Sequence, residues 1–151
     1  MSPLAVADSD QITAITAEIF AAMVDGEEGL LVPWSDGPAK VADPLHAWVD
    51  MYADSGNRVQ LTTDADTADD LARALLGMGV DEKVALGDLV DAFGEVANVI
   101  GGNLKALLPV QGRLTMPEVS RQSPSTTDAV QLDEVPLAWR GRPLIITVWT
   151  I

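Results

Sequence analysis

Residues 81–108 read DEKVALGDLVDAFGEVANVIGGNLKALL, and this stretch decides the fold. At about 100° per residue, its large apolar side chains fall within one narrow arc of a helix: Leu86, Leu89, Phe93, Val96, Ile100, Leu104 and Leu107. The opposite side gathers the polar residues Asp88, Asp91, Glu95 and Asn98 with Gly102, and Lys105 lies close by. The stretch predicts a long helix over residues 81–108, ended by Pro109, whose apolar arc faces a sheet.

The segments around this helix alternate between helical and strand-like patterns. Before the long helix, they predict a helix from the cap at Asp8-Ser9-Asp10 to Gly26, a hairpin over residues 45–62 turned at Ser55-Gly56-Asn57, and a short helix ending near Gly77. After it, they predict strands over residues 110–119, 129–139 and 144–151. The last two strands are joined at Arg140-Gly141-Arg142-Pro143. Runs of helices and runs of strands favour an α+β fold, with helices packed on one face of a mostly antiparallel sheet. We expect residues 1–151 to form one domain.

Composition excludes several classes of function. The chain has 9 Lys+Arg against 23 Asp+Glu and a net charge of −14, so we expect no nucleic-acid partner and no anionic membrane surface. It has no cysteine and one histidine, which removes thiolate nucleophiles and ordinary zinc sites. Without a basic leader or a run of about 20 apolar residues, the sequence predicts a soluble, cytoplasmic protein.

The polar side of the long helix has two interpretations. A solvated face is normally polar, so these residues require no function. Asn98 and the Gly101-Gly102 pair are nevertheless poor helix formers, at about 1 kcal/mol per glycine, which suggests that the glycines leave room beside Asn98 for another molecule. The structural alternative is that Gly101-Gly102 ends one helix and Asn103 caps another.

Residues 91–103, DAFGEVANVIGGN, resemble the signature helix of the CheC, CheX and FliY family of chemotaxis phosphatases. The match is Asp-x3-Glu-x2-Asn followed by glycine and a second asparagine, in a long helix that follows a hairpin and a shorter helix and precedes strands. Only one copy of the motif is visible, which is similar to CheX, whereas CheC usually carries two. Pro117 follows Asn98 sooner than in the CheC-type spacing.

The resemblance implies that the chain removes the phosphoryl group from the active-site aspartate of a CheY-type receiver domain. Glu95 would pair with the receiver's active-site lysine, and Asn98 would orient the attacking water. The magnesium ion would be supplied by the receiver, so this chain would need no metal or cofactor of its own. Asp91 occupies the family's position one helical turn before Glu95, where it would touch the partner or be an ordinary exposed acid. On the residues alone, Gly101, Gly102 and Lys105 are further candidates for partner contact, although an exposed lysine is usually only solubilising.

The spacing agrees with this chemistry. Side chains three residues apart on a helix project side by side, so one helix can present Glu95 and Asn98 to one small pocket. A neutral amide can accept a hydrogen bond from water and donate one to phosphate, whereas a carboxylate would repel the phosphoryl oxygens. Two other functions stay open: a non-catalytic interaction module of the chemotaxis or flagellar-switch type, and a small-molecule binding domain. His46, on a strand, is expected to be structural.

The final strand predicts an assembly. Leu144, Ile146 and Val148 line one face of residues 144–151, while Ile145, Trp149 and Ile151 line the other. An edge strand that is apolar on both faces invites uncontrolled association, so this strand must be covered by its own domain or by a second copy. CheX relatives form dimers by joining sheets edge to edge, and we therefore expect a two-fold homodimer.

Overall fold

The computed structural model describes residues 8–108 and 111–151. Within them, seven strands form one antiparallel sheet: β1 (Leu31–Pro33), β2 (Pro44–Tyr52), β3 (Gly56–Asp64), β4 (Arg113–Leu114), β5 (Glu118–Ser120), β6 (Val130–Trp139) and β7 (Arg142–Thr150). The strand order is β1-β6-β7-β3-β2, and both β4 and β5 pair with the outer edge of β2. Three helices pack on one face of this sheet, which confirms the predicted α+β fold.

The helices begin and end where local chemistry favours it. They are α1 (Ser9–Ile19), which continues as a π-helical turn (Phe20–Asp25), α2 (Ala65–Leu76) and α3 (Leu86–Lys105). Asp8 caps α1, because its carboxylate accepts a hydrogen bond from the Gln11 backbone N–H at 2.8 Å. Gly26 and Gly77 follow the first two helical segments with φ of 70° and 68°, a left-handed conformation that glycine adopts without a Cβ clash.

The hydrophobic core lies between the helices and the sheet. Alternate residues of the central strands face the helices, for example Val49 of β2, Val59 of β3 and Val148 of β7, which occupy one row across the sheet. From α3, the middle of the predicted arc is buried in this core: Phe93, Val96, Ile100 and Leu104. The orientation predicted for this helix is therefore confirmed.

The long helix is shorter than its sequence pattern predicts. It begins at Leu86, not at residue 81, and the carbonyl of Glu82 accepts a hydrogen bond from Arg73 Nε at 2.7 Å instead of from a helical N–H. Leu86 and Leu107, the ends of the predicted arc, are exposed because they lie beyond the core. The predicted end at Pro109 lies outside the described residues.

The strand predicted over residues 110–119 is interrupted. Its first residue, Val110, lies outside the described residues. Strand structure begins only at Arg113, and residues 115–117 separate β4 from β5. Pro117 cannot donate a ladder hydrogen bond, which favours a break there. The two hairpin turns are also shifted: residues 53–55 connect β2 to β3, and Arg140-Gly141 alone connects β6 to β7.

The final strand occupies the middle of the sheet. β7 pairs with β6 on one side and with β3 on the other. Both backbone edges of the strand are therefore paired within the chain, and Leu144, Ile146 and Val148 are buried. On the other face, Ile145 and Trp149 are half-buried and Ile151 is exposed. Of the two alternatives left open by the sequence, the central position within the domain is the one observed, and it covers the strand's backbone without a second copy.

Among the described residues, no helix combines the length and the apolar composition that a membrane span requires.

Candidate functional site

The signature residues line one cleft on the surface. The cleft has a volume of about 380 Å³ and lies between α3 and the segment that connects β4 to β5. Its lining residues are Val90, Asp91, Glu95 and Asn98 from α3, with Met116 and Pro117 from the connection. The structure therefore brings together three of the six candidate residues chosen from the sequence.

The polar groups in this cleft are available to a ligand. Across the described residues, the side chains of Asp91, Glu95 and Asn98 form no hydrogen bond or ion pair with the rest of the chain. Asp91 and Glu95 are exposed, and Asn98 is half-buried. Because the helix holds their backbone, these side chains are presented on a fixed support without being satisfied internally.

The second wall of the cleft is held by backbone contacts. The Thr115 N–H donates to the Asp50 carbonyl at 2.8 Å, and the Asp50 N–H donates to Thr115 Oγ1 at 2.9 Å. Pro117 packs on Gly94, where an added Cβ would lie 3.4 Å from the proline Cβ. Residues 115–117 are thus fixed against both β2 and α3. Sequence reasoning missed Val90, Met116 and Pro117 as cleft residues, although the proline within a predicted strand was a usable signal.

The two glycines of α3 differ in what surrounds them. Gly101 was expected on the exposed side, but it is buried against the sheet, and a Cβ there would clash with Val49 Cγ2. Gly102 lies one turn after Asn98, and a Cβ there would meet nothing within 4 Å. The helix continues through both residues, so the alternative of two helices joined at this pair is wrong. Gly101 permits helix-to-sheet contact, and only Gly102 leaves room on the outer surface.

Two other polar residues of α3 are bound within the chain. The Asn103 amide Nδ2 donates to the Val99 carbonyl at 2.8 Å, which is a bond within the helix. Lys105 Nζ donates to the Gly112 carbonyl at 3.2 Å, so this lysine supports the connection after α3 and does not line the cleft. On the same helix, the amide of Asn98 is therefore available to a ligand, whereas the amide of Asn103 is bonded within the chain.

His46 belongs to a different surface. It lies on the face of β2 away from the helices, with Nδ1 2.8 Å from Thr62 Oγ1 and 3.1 Å from Gln60 Nε2. Burial lowers the pKa of the His46 imidazole, which favours the neutral ring. The expected structural role agrees with this position.

The chemistry available in the cleft is limited and specific. The lining offers two carboxylates and one amide, and it contains no hydroxyl, imidazole or ammonium group from the described residues. Within residues 8–108 and 111–151, no cluster of three or more acidic or histidine side chains could hold a metal ion. Such a cleft can bind a cationic group and position a water molecule, and a reaction there would depend on groups supplied by a partner.

Comparison with known proteins identifies the class to which this fold and cleft belong. The family model described as "Chemotaxis phosphatase CheX" matches residues 46–135, which include both cleft walls and the chain from β2 to the first half of β6. The chain belongs to the CheX family. The resemblance to CheC, CheX and FliY proteins seen in the sequence is thereby confirmed.

Solved structures agree on the fold. The chain is similar to the chemotaxis protein CheX of Vibrio vulnificus, with 17% identity, a TM-score of 0.70, and coverage of 94% of this chain and 95% of that one. It is similar to the CheX in a complex with CheY, BeF3 and Mg²⁺ from Borrelia burgdorferi, with 15% identity, a TM-score of 0.68, and coverage of 95% and 97%. FliY of Thermotoga maritima matches at 16% identity and a TM-score of 0.61, with coverage of 100% and 91%. Among curated protein sequences, none matches this chain.

Proposed function

We propose that this protein hydrolyses the aspartyl phosphate of a CheY-type receiver domain. The observation that carries the proposal is the shared cleft, in which Glu95 and Asn98 are both unbonded to the described chain and lie on one face of α3. Membership in a family described as chemotaxis phosphatases supports the reaction class. The CheX of Borrelia burgdorferi, which was solved with CheY, supports the kind of partner.

In this proposal Glu95 binds the receiver. Its exposed carboxylate accepts hydrogen bonds from the receiver's active-site lysine, a charge-assisted contact. Asp91 lies one helical turn earlier and lines the same cleft, so it adds a second negative charge near that lysine. The pair of acids makes the cleft complementary to a cation and fixes the orientation of the bound receiver.

Asn98 positions the water that attacks phosphorus. Its Oδ1 accepts from the water, and its Nδ2 can donate to a phosphoryl oxygen. In-line attack on a phosphoryl group depends mostly on positioning and charge neutralisation, so a neutral amide is sufficient on this side of the reaction. The bond between phosphorus and the aspartate oxygen breaks as the bond from water oxygen forms, which leaves a free carboxylate and inorganic phosphate.

The remaining groups belong to the receiver. Magnesium and the phosphorylated aspartate would be held there, and this chain would add no metal or cofactor. With such a substrate, we expect the protein to act in the cytoplasm. Long-range charge does not favour the encounter, because a chain at −14 approaches an acidic phosphorylated site. Attraction therefore has to come from contacts inside the cleft.

A turnover assay with phosphorylated receiver domains tests the function. Receivers encoded in the same genome are phosphorylated with a small-molecule phosphodonor, and release of phosphate is followed with the chain at substoichiometric concentration. The proposal expects one or more receivers to lose phosphate faster, with many turnovers per chain. Binding of receivers without any acceleration would instead identify a non-catalytic interaction module.

We also propose that two copies associate through a sheet edge distant from the cleft. β1 covers only residues 137–139 of β6, so among the described residues the first half of β6 has no strand partner on its outer side. The cleft borders β4 and β5 at the other end of the strand order, and a dimer at β6 leaves both clefts open. Light scattering at micromolar concentration is expected to give twice the chain mass, and a monomer that persists at rising concentration contradicts the dimer.

A further inference from the structure

Met116 is a cleft residue that the proposed reaction does not use. It is 84% exposed, more than any other large apolar side chain of the described residues. Single exposed apolar residues are common on protein surfaces, so exposure alone identifies nothing. The position is what matters, because this side chain stands at the cleft that holds Glu95 and Asn98.

The backbone that carries Met116 is held from both sides. Thr115 exchanges two hydrogen bonds with Asp50, at 2.8 and 2.9 Å, and Pro117 packs on Gly94. A side chain displayed from an anchored backbone loses less freedom when it binds than one displayed from a mobile loop. Methionine is also flexible and polarizable, and it adapts to apolar surfaces of different shape.

A second apolar residue faces the cleft from α3. Val90 is 38% exposed and lines the same cleft one residue before Asp91. The polar groups are therefore flanked by apolar surface from both walls. We call Val90 and Met116 together the apolar rim.

The charge of the chain indicates what the rim is for. Glu95 offers a local contact to a lysine, but the net charge of −14 opposes the approach of an acidic phosphorylated partner. Burial of apolar surface is insensitive to charge and adds binding free energy only after contact. A rim beside the charged groups supplies the attraction that long-range electrostatics cannot.

We infer that the apolar rim is a docking surface for an apolar patch on the receiver next to its phosphorylated aspartate. This inference rests on the proposed function for the identity of the partner. The rim touches the partner's surface and not the reacting atoms. Its loss is expected to weaken binding while leaving the chemical step unchanged.

Three variants separate this role from a structural one. Met116→Gln keeps the length of the side chain and removes its apolar character, whereas Met116→Leu keeps the apolar character. Val80→Gln is the matched control, because Val80 is 83% exposed but lines a separate cavity with Arg73 and Arg140. Both sites are exposed, so thermal unfolding is expected to be unchanged in all three variants and is measured first.

Two measurements are then made on the full chain. Calorimetry gives the Kd for a receiver held in its activated form by beryllofluoride and magnesium, and steady-state phosphate release gives kcat and KM. Met116→Gln is expected to raise Kd and KM about tenfold with kcat within about twofold of wild type. Met116→Leu and Val80→Gln are expected to stay within about threefold of wild type in all three quantities.

The outcomes distinguish the rim from the reaction. If Met116→Gln binds the receiver with wild-type affinity, or if Met116→Leu weakens binding as much as Met116→Gln does, the docking role of the rim is overturned even if turnover is normal. A third outcome is that the wild-type chain binds a receiver but turns over none, and that Met116→Gln binds this receiver more weakly. That outcome supports the docking role of the rim and overturns the phosphatase proposal. If no receiver binds the wild-type chain, both are overturned.

Discussion

The two faces of α3 have opposite relations to the rest of the molecule. The face toward the sheet is almost completely buried: Phe93, Val96, Ile100 and Leu104 are each at most 1% exposed. On the cleft face, Asp91, Glu95 and Asn98 have no bonded partner among the described residues. One face therefore supplies stability, and the other leaves its polar groups to solvent or to a partner. Mutations on the two faces should change different measured quantities.

Phe93→Ala is expected to have the largest effect, and it acts on the sheet side. The ring is fully buried, so its removal should lower the free energy of unfolding by about 3 to 5 kcal/mol. Chemical denaturation measures this loss directly. An unchanged unfolding midpoint would mean that α3 presents its other face to the sheet.

Replacement of each glycine of the pair by alanine compares the two faces of α3. Gly101→Ala places a Cβ that clashes with Val49 Cγ2 and should destabilise the fold by about 1 to 3 kcal/mol. Gly102→Ala meets nothing within 4 Å and should stabilise the helix by up to about 1 kcal/mol. Thermal unfolding of both variants gives the comparison. Equal shifts of the same sign would contradict the assigned orientation of this turn.

Glu95→Ala is expected to have a smaller effect, and only on association. The side chain is exposed and unbonded within the described chain, so the unfolding curve should be unchanged. Loss of the proposed contact with the receiver's lysine should weaken binding about tenfold, or about 1.4 kcal/mol. Asp88→Ala is the control, because Asp88 is an exposed acid of the same helix that does not line the cleft. Equal effects of the two substitutions would indicate general charge rather than a contact at Glu95.

The sequence could predict the orientation of α3 because the helical period persists through its length. The apolar residues between Phe93 and Leu104 follow this period, and they are buried in the structure as expected: Phe93, Val96, Ile100 and Leu104. The start of the helix could not be predicted in this way. The residues before Leu86 make other contacts, such as the hydrogen bond from Arg73 of α2 to the Glu82 carbonyl, and a periodic pattern contains no information about such a contact.

For the same reason, only one of the two walls of the candidate site could be predicted from the sequence. Asp91, Glu95 and Asn98 lie on one helix, so their shared face follows from spacing alone. The opposite wall depends on Pro117 packing against Gly94 and on Thr115 bonding to Asp50, contacts between residues distant in the chain. Gly101 was placed on the wrong side because a glycine gives no hydrophobic signal of its own, and only the neighbouring Val49 shows which face it occupies.

The measurement that tests the account most directly compares the two asparagines of α3. Asn98 is unbonded within the described chain and lines the cleft, whereas the Asn103 amide is bonded to Val99 of its own helix. Single-turnover hydrolysis of a phosphorylated receiver, at saturating chain concentration, isolates the chemical step. Asn98→Ala is expected to slow this step about 100-fold or more with an unchanged unfolding curve, and Asn103→Ala to stay within about twofold of wild type. Hydrolysis by Asn98→Ala at the wild-type rate would contradict the assignment of Asn98 as the residue that positions water.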